Sequence, residues 1–396
     1  MKTKILTVIL AITMLSFSFS ANASKVIQTS DGDVNYTVAE KPVLTTNAKS
    51  AVLIDGLNGE ILYEENKDEQ LPFASITKVM TMLLTVEAIE KGNLKLDDIL
   101  VCSEHAKSMG GSEIWLEVGE KMSVNDLLKA VAVNSANDAA VVLAEAIGGS
   151  DDNFVAMMNK RANELGMKNT CFKNTNGLPE EGHYSSAYDI AVMSKELMKH
   201  KLILNFTTIW TDSLRDGKTE LANTNKLIRF YSGATGLKTG FTDDSGYCLT
   251  ATAERDELPL IAVVLGCETS DRRFNGAKEL LNYGFSAYTV VSPEINLSQI
   301  DETKIILGTK EKIKAVLPKI EGLVLKKDEK EKLTYDIEIV KNVSAPVEKG
   351  QTLGKINFKI DGKTIKSYNL TAEETVEKLS FFKSFCALLL KFIFMR

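Results

Sequence analysis

The order of strand-like and helix-like segments constrains the fold of this chain most strongly. Residues 51–66 read AVLIDGLNGEILYEEN, two short strands around an Asn58-Gly59 turn, and this dipeptide between apolar runs is a strong hairpin signal. Helical patterns follow, and strand patterns return in residues 246–254 and 258–267. Strands at both ends of a helical segment predict one antiparallel sheet that is covered by helices.

Composition divides the chain into two folded segments. Residues 40–285 carry the sheet and its helices, which predicts a single mixed α/β (α+β) domain after a lead of residues 24–39. After Ser286 the sequence alternates Ile, Val and Lys, with Gly and Pro between the runs. This pattern predicts a small all-β domain over residues 286–375, which would serve as a spacer.

The first 23 residues have the features of a secretory signal peptide. Lys2 and Lys4 precede an uncharged run over residues 5–19, and residues 21–23 form an A-x-A cleavage pattern. The sequence therefore predicts an exported protein that begins near Ser24.

The other end is apolar and basic. Residues 379–396, LSFFKSFCALLLKFIFMR, contain no acidic side chain, and their 18 residues are short for a spanning helix, which needs about 20 apolar residues. On a helical wheel Ser380, Lys383, Ser384 and Lys391 fall within an arc of about 100°. We therefore predict that residues 376–396 form an amphipathic helix in the plane of the membrane. A docked terminal helix and a short span remain the alternatives.

Charge and cysteine content exclude several classes of function. Without the leader lysines the net charge falls from −6 to −8, which is unlike a nucleic-acid-binding surface. The five cysteines show no C-x-x-C spacing, so neither a zinc site nor a disulfide framework is indicated. Only Cys248 and Cys267, on consecutive predicted strands, are placed for a bridge.

An S-x-x-K sequence opens an apolar helix in LPFASITKVMTMLLTVEAIEKG, where Ser75 precedes Lys78. A serine at a helix start is commonly a cap, but a cap does not explain a buried lysine, whose unpaired charge is costly. Residues three apart on a helix are neighbours, so Lys78 could take the hydroxyl proton if it were neutral. Burial, the helix N-terminus and a second cation would each lower its pKa.

Two further motifs could complete such a site. K-T-G occurs once, at residues 238–240, and Leu237 stands where a phosphate loop requires glycine. Among the three S-x-N sequences that follow the predicted leader, that of Ser135 and Asn137 lies between two apolar helices. Such a corner can direct side chains into a cleft.

The ordered triple S-I-T-K, S-A-N and K-T-G, separated by about 60 and 100 residues, resembles the penicillin-binding proteins and serine β-lactamases. The segments HYSSAYDIAVMS, NTNGLP and RRFNGAKELLNYGF, with the β-rich domain and its terminal helix, resemble the low-molecular-mass D-alanyl-D-alanine carboxypeptidases. The resemblance implies a serine β-lactamase/DD-peptidase fold. It also implies that the substrate is a peptidoglycan stem peptide ending in D-Ala-D-Ala, and that β-lactams act as inhibitors.

The same resemblance implies roles for individual residues. Ser75 would be the nucleophile, Lys78 the general base, and Ser135 the residue that passes a proton to the leaving amine. The backbone amides of Ser75 and Phe241 would bind the oxyanion. The residues implied to contact substrate are Asn137, Lys238, Thr239, Gly240, Phe241 and Arg273. No cofactor or metal is required.

Three alternative functions can be weighed from the residues. A Ser-His-Asp hydrolase is disfavoured because only His105, His183 and His200 are present, without a G-x-S-x-G elbow, and His183 is expected to cap or pack locally. A class A β-lactamase would carry a deacylating glutamate in an E-x-x-L-N stretch, and none lies between Asn137 and Lys238. A membrane-tethered penicillin-sensing domain remains open.

Overall fold

The computed structural model describes residues 44–296, 298, 300–320 and 322–380. The predicted signal peptide and residues 381–396 of the predicted anchor lie outside the described residues. The α-helices in the described part are α1 (Lys78–Glu90), α2 (Glu104–Lys107), α3 (Val124–Val133), α4 (Asn137–Gly148), α5 (Asp151–Glu164), α6 (Ala187–Lys199), α7 (Leu204–Thr207), α8 (Leu227–Phe230) and α9 (Ser270–Ala287).

The strands fall into two groups, which lie before and after residue 270. Those before residue 270 are β1 (Ser50–Asp55), β2 (Ile61–Glu65), β3 (Ile99–Val101), β4 (Lys121–Ser123), β5 (Thr211–Leu214), β6 (Thr219–Ala222), β7 (Ala234–Thr242), β8 (Gly246–Arg255) and β9 (Leu258–Cys267). Those after it are β10 (Tyr288–Val291), β11 (Thr303–Ile306), β12 (Lys312–Ile313), β13 (Ala315–Val316), β14 (Leu323–Lys326), β15 (Leu333–Ile339), β16 (Asn342–Ser344), β17 (Thr352–Ile360) and β18 (Lys363–Ala372).

The main sheet joins strands from both ends of the helical segment, as the sequence predicts. Its order is β2-β1-β9-β8-β7, and all its pairings are antiparallel. Successive side chains of β9 alternate between two cores, because a strand has a period of two. Ile261 and Val263 pack into the helical core, whereas Leu260 and Val264 pack with α9. The sheet is therefore covered on both faces.

Helix α1 passes through the centre of the helical core. Every residue from Lys78 to Ala88 is buried, which suits a helix that is apolar around its whole circumference. A short 3₁₀ turn, Ala74–Thr77, leads directly into it. The predicted interior position of Lys78 is thus confirmed.

Three small features were not predicted from the sequence. β3 pairs with β4 and β5 with β6 in separate two-stranded sheets, whose strands are only three or four residues long. β7, which carries the K-T-G sequence, forms an edge of the main sheet. Its sequence ATGLKTGFT hides the strand because glycine is depleted in strands.

The chain after α9 consists of short sheets with a further core. β13-β18-β17-β15 form one sheet, and β12-β11-β16 form another. Val376 lies in this β-rich part, where it bridges to Val347 and is 1% exposed. The predicted domain boundaries stay a prediction. Among the described residues, no helix is both long and apolar enough to cross a membrane.

The cysteines of the described chain are Cys102, Cys171, Cys248 and Cys267, and all four are free thiols. The pair that the sequence places for a bridge is therefore reduced in this structure. Burial raises the pKa of Cys248 to about 11 and that of Cys267 to about 12.

Candidate active site

Ser75 lies in a strained turn at the mouth of α1. The preceding residue, Ala74, has a positive φ of 48°, which is unusual for a residue with a Cβ. The Ser75 side chain does not cap a helix, since the cap positions here are Phe73 and Thr77. Its Oγ instead lies 3.0 Å from Nζ of Lys78. The structure thus favours the pairing of serine and lysine over the cap.

Lys78 is fully buried and has two further polar partners. Its Nζ donates to Oδ1 of Asn137 at 2.6 Å and to the backbone oxygen of Asn176 at 2.6 Å. No contact in the described part of the chain joins this nitrogen to a carboxylate. Burial, aided by the charge of Lys238, holds the pKa of Lys78 well below its usual value, against the opposing charge of Asp138.

The hydrogen bonds of Lys78 leave one direction for its lone pair. The backbone oxygen of Asn176 can only accept, and Oδ1 of Asn137 also accepts because Nδ2 donates to the oxygen of Gly110 at 2.7 Å. A neutral amine has two hydrogens, and these two acceptors use both. The lone pair then faces the Ser75 hydroxyl, which is the geometry that a general base requires.

Ser135 and Asn137 lie in the corner between α3 and α4, as predicted. Ser135 has a positive φ of 65° and is 4% exposed. The backbone amide of Asn137 donates to the oxygen of Ser112 at 2.7 Å, so the residue is fixed by main chain and side chain alike. The corner therefore holds the amide that orients Lys78. The predicted link from Ser135 to Lys238 stays a prediction.

The K-T-G strand runs directly past the nucleophile. A Cβ added to Gly240 would lie 2.7 Å from the oxygen of Phe73 and 3.2 Å from the amide nitrogen of Ser75, so only glycine allows this approach. Lys238 is 1% exposed, and its Nζ donates to the oxygen of Thr239 at 3.0 Å. Burial, with a contribution from Arg273, lowers the pKa of Lys238 to about 7.

Arg273 lies behind this strand. One of its terminal nitrogens, Nη1, donates to the backbone oxygens of Gly240 at 3.2 Å and Cys248 at 3.4 Å. The guanidinium also stacks over the ring of Phe274, 4.6 Å from its centroid. Arg273 is 7% exposed, so it supports the strand and adds positive charge beneath it.

Thr239 and Phe241 flank the glycine of this strand. Thr239 donates from Oγ1 to Oγ1 of Thr224 at 2.7 Å. Phe241 is 49% exposed and packs against Tyr247, with ring centroids 4.3 Å apart. The structure places the nine predicted site residues at or just before the starts of α1 and α4, within β7 and in the first turn of α9.

Sequence reasoning missed three contributors to this site. Asn176 holds Lys78 through a backbone oxygen, which no side-chain pattern reveals. Gly177 has a positive φ of 88°, and an added Cβ would lie 2.0 Å from the oxygen of Ala74. Thr224 reaches Thr239 from the loop before α8. Asn176 and Gly177 belong to the NTNGLP segment that carries the family resemblance, and an Asn-Gly pair marks a tight turn, but neither signal gave these residues a role at the site.

Two family models together match most of this chain. Residues 35–269 match the family model described as D-alanyl-D-alanine carboxypeptidase. Residues 295–378 match the model described as penicillin-binding protein 5, C-terminal domain. The D-alanyl-D-alanine carboxypeptidase DacF of Bacillus subtilis is 43% identical over 385 residues, which cover 96% of each chain.

Solved structures give the same result. The crystal structure of penicillin-binding protein 5 from Haemophilus influenzae is similar, with a TM-score of 0.77 and 32% identity over 85% of this chain and 99% of that one. Penicillin-binding protein D2 from Listeria monocytogenes, in a cefotaxime-bound form, has a TM-score of 0.57 and 36% identity over 62% of this chain and 99% of that one.

Fold and site together define a serine acyl-transfer enzyme of the penicillin-binding class. The chain belongs to the D-alanyl-D-alanine carboxypeptidase family, and it is a serine-type D-Ala-D-Ala carboxypeptidase. The predictions of family, fold class and enzymatic activity are therefore confirmed.

Proposed function

We propose that the enzyme removes the terminal D-alanine of peptidoglycan stem peptides through an acyl-enzyme on Ser75, with Lys78 as general base. The observation that carries this assignment is the set of hydrogen bonds around Lys78. Two acceptors, Asn137 Oδ1 and Asn176 O, take both hydrogens of a neutral amine and turn its lone pair toward Ser75.

In the acylation step, Oγ of Ser75 bonds to the carbonyl carbon of the penultimate D-Ala while its proton passes to Lys78. The backbone amides of Ser75 and Phe241 stabilise the oxyanion. The C–N bond then breaks, and Ser135 passes a proton to the leaving D-alanine amine. The low pKa of Lys238, about 7, supports a role for this lysine in returning a proton to the Ser135 hydroxyl.

Substrate recognition falls to the K-T-G strand and to Asn137. The Thr239 hydroxyl binds the terminal carboxylate, and the buried charge of Arg273 supports that contact from behind the strand. Asn137 contacts the substrate amide while it continues to hold Lys78. A water molecule then hydrolyses the ester on Ser75, which releases the shortened stem peptide.

We place the enzyme outside the cytoplasm, attached to the outer leaflet of the cytoplasmic membrane. The apolar, basic tail and the leader with its cleavage pattern support this location. The β-rich part after α9 would act as the spacer between the site and the membrane.

The proposal is tested by release of D-alanine. The purified enzyme is incubated with a synthetic stem pentapeptide ending in D-Ala-D-Ala, and free D-alanine is measured. We expect release by the parent and none by Ser75→Ala. Ser123→Ala is the matched control, because Ser123 ends β4 and caps α3 outside the proposed site. Release by Ser75→Ala at the parent rate would contradict the assignment.

Persistence of the penicilloyl adduct distinguishes this enzyme from a β-lactamase. Penicillin-binding protein D2 has been solved in ampicillin-bound and cefotaxime-bound forms, which supports acylation of Ser75 by β-lactams. We expect mass spectrometry to show an adduct that outlasts the D-alanyl acyl-enzyme. Rapid, repeated turnover of penicillin would instead identify a β-lactamase.

A further inference from the structure

His183 has a role in the structure that the sequence did not indicate. It is 7% exposed, and its ring stacks on Phe73 with centroids 4.8 Å apart and planes 5° apart. Its Nδ1 lies 3.0 Å from the backbone nitrogen of Lys173, and its Nε2 lies 2.7 Å from Oγ1 of Thr77. Both ring nitrogens are therefore occupied, beside the residues that precede the nucleophile.

These contacts fix the tautomer of His183. A backbone amide can only donate, so Nδ1 accepts from Lys173 and carries no hydrogen. The hydrogen then lies on Nε2, which donates to Thr77. Burial lowers the pKa of His183 to about 4, so the ring stays neutral at the pH of ordinary assays.

The chain of hydrogen bonds continues to the peptide before the nucleophile. Since Oγ1 of Thr77 accepts from His183, its own hydrogen is directed to the backbone oxygen of Ala74, 2.8 Å away. The carbonyl of Ala74 and the amide of Ser75 belong to the same planar peptide unit. A hydrogen bond that fixes this oxygen therefore also fixes the direction of the Ser75 N–H.

This peptide needs such support because its conformation is unfavourable. Ala74 has a φ of 48°, and a residue with a Cβ rarely adopts left-handed backbone because the Cβ crowds the neighbouring carbonyl oxygen. Gly177 packs against the same peptide, so closely that an added Cβ would lie 2.0 Å from the Ala74 oxygen and 2.8 Å from the Ser75 nitrogen. The hydrogen bond from Thr77 and the close packing of Gly177 both restrict the orientation of this peptide.

We propose that His183 is a positioning residue for catalysis: through Thr77 it orients the Ala74–Ser75 peptide, whose N–H binds the oxyanion. The proposal rests on the proposed function of Ser75. It assigns no contact between His183 and the substrate. Its expected effect is on the rate of the chemical steps, because an oxyanion donor acts on the transition state rather than on substrate binding.

The test uses three substitutions that separate the two hydrogen bonds of the ring. His183→Phe keeps the stacking on Phe73 but removes both bonds. His183→Gln places an amide nitrogen near the position of Nε2 and can still donate to Thr77. His183→Asn is too short for that bond but can still accept from the Lys173 amide.

With a D-Ala-D-Ala peptide as substrate, we expect kcat to fall roughly tenfold in His183→Phe and His183→Asn, while KM changes little. This loss in kcat is smaller than the roughly 10²- to 10³-fold loss that follows deletion of an oxyanion donor. The Ser75 N–H is still present in these variants but is less well aligned. His183→Gln should retain a kcat close to that of the parent. Rates are expressed per active site, titrated with penicillin, so that misfolded protein does not contribute.

Thr77 supplies an independent pair of variants. Thr77→Val removes the hydroxyl at nearly constant volume and should lower kcat as His183→Phe does, whereas Thr77→Ser should keep it. The double variant His183→Phe/Thr77→Val should be no slower than either single variant, because both interrupt one chain of bonds. If His183→Phe does not fold, the Thr77 pair still decides the matter.

Several results would overturn the proposal. A parent-like kcat in His183→Phe or Thr77→Val, a loss in His183→Gln equal to that in His183→Phe, or additive losses in the double variant would each do so. A merely structural role would lower the melting temperature and leave kcat per titrated site unchanged. If the parent itself forms no adduct on Ser75, the proposed function fails instead, so the two failures are distinguishable.

Discussion

Replacing Lys78 with methionine should change how stability depends on pH. The buried amine has a pKa well below the ordinary 10.5, so in this range the unfolded chain binds a proton that the folded enzyme does not. Stability of the parent therefore rises with pH, by about 1.4 kcal/mol per unit between the folded pKa and 10.5. Lys78→Met has no such group, and its stability should lack this part of the slope.

The net effect at one pH is small because two contributions oppose each other. At a pH where the folded enzyme keeps Lys78 neutral but the unfolded chain is protonated, the parent loses stability through the low pKa of Lys78. The variant avoids this loss but leaves Oδ1 of Asn137 and the oxygen of Asn176 without their donor, at about 1–3 kcal/mol each. A single measurement therefore cannot reveal the state of Lys78, whereas the slope can.

The assay is urea unfolding followed by tryptophan fluorescence, at about pH 8 and about pH 9. The stability difference between parent and variant should change by about 1.4 kcal/mol across this interval, in favour of the parent at the higher pH. Lys95→Met, at an exposed position, is the control and should run parallel to the parent. If the stability of Lys78→Met changed with pH in parallel with that of the parent, Lys78 would be charged in the folded enzyme. That result would refute its role as base.

Three further predictions follow from other contacts. Gly177→Ala forces a Cβ to within 2.0 Å of the Ala74 oxygen, so acylation by penicillin should slow by at least about tenfold. The control is Gly119→Ala, which has a similar positive φ and open space around it and should acylate at the parent rate. Equal acylation rates for the two variants would contradict the close packing of Gly177. Burial lowers the pKa of His183 from 6.5 to about 4, so the parent should lose about 3 kcal/mol of stability as the pH falls from 6.5 to 4. In urea unfolding, His183→Gln should not show this loss. If parent and variant lost the same stability over this pH range, the low pKa of His183 would be disproved. Removal of residues 381–396 should abolish sedimentation with lipid vesicles and leave peptide cleavage intact; vesicle binding by the shortened chain would refute the anchor.

The main sheet could be predicted because its strands carry strong local signals. The Asn58-Gly59 turn and the apolar runs of β8 and β9 mark strands that are paired on both sides or joined by a tight turn. β7 has no such signal, since Gly240 serves the close approach to Ser75 and Gly236 a close approach to Thr252, and neither favours a strand. The strand that carries the K-T-G motif was therefore the hardest to recognise.

The site shows a similar division between side chains and backbone. Ser75 and Lys78 could be selected because a buried lysine next to a serine is chemically unusual, and Lys238 because K-T-G occurs once in the chain. The partners that make Lys78 a base are an amide from α4 and a backbone oxygen at Asn176. A backbone oxygen can belong to any residue type, so only the fold reveals it. The same holds for the Ala74 carbonyl that His183 orients through Thr77.

The most direct test of the account is the location of the covalent intermediate. The enzyme is incubated with penicillin, stopped in acid, digested and analysed by peptide mass spectrometry. We expect a single penicilloyl adduct on the peptide that contains Ser75, absent from Ser75→Ala and strongly reduced in Lys78→Met, because the neutral amine of Lys78 activates the Ser75 hydroxyl. An adduct on Ser135, or undiminished labelling of either variant, would contradict the central claim that these two residues form the nucleophile and its base.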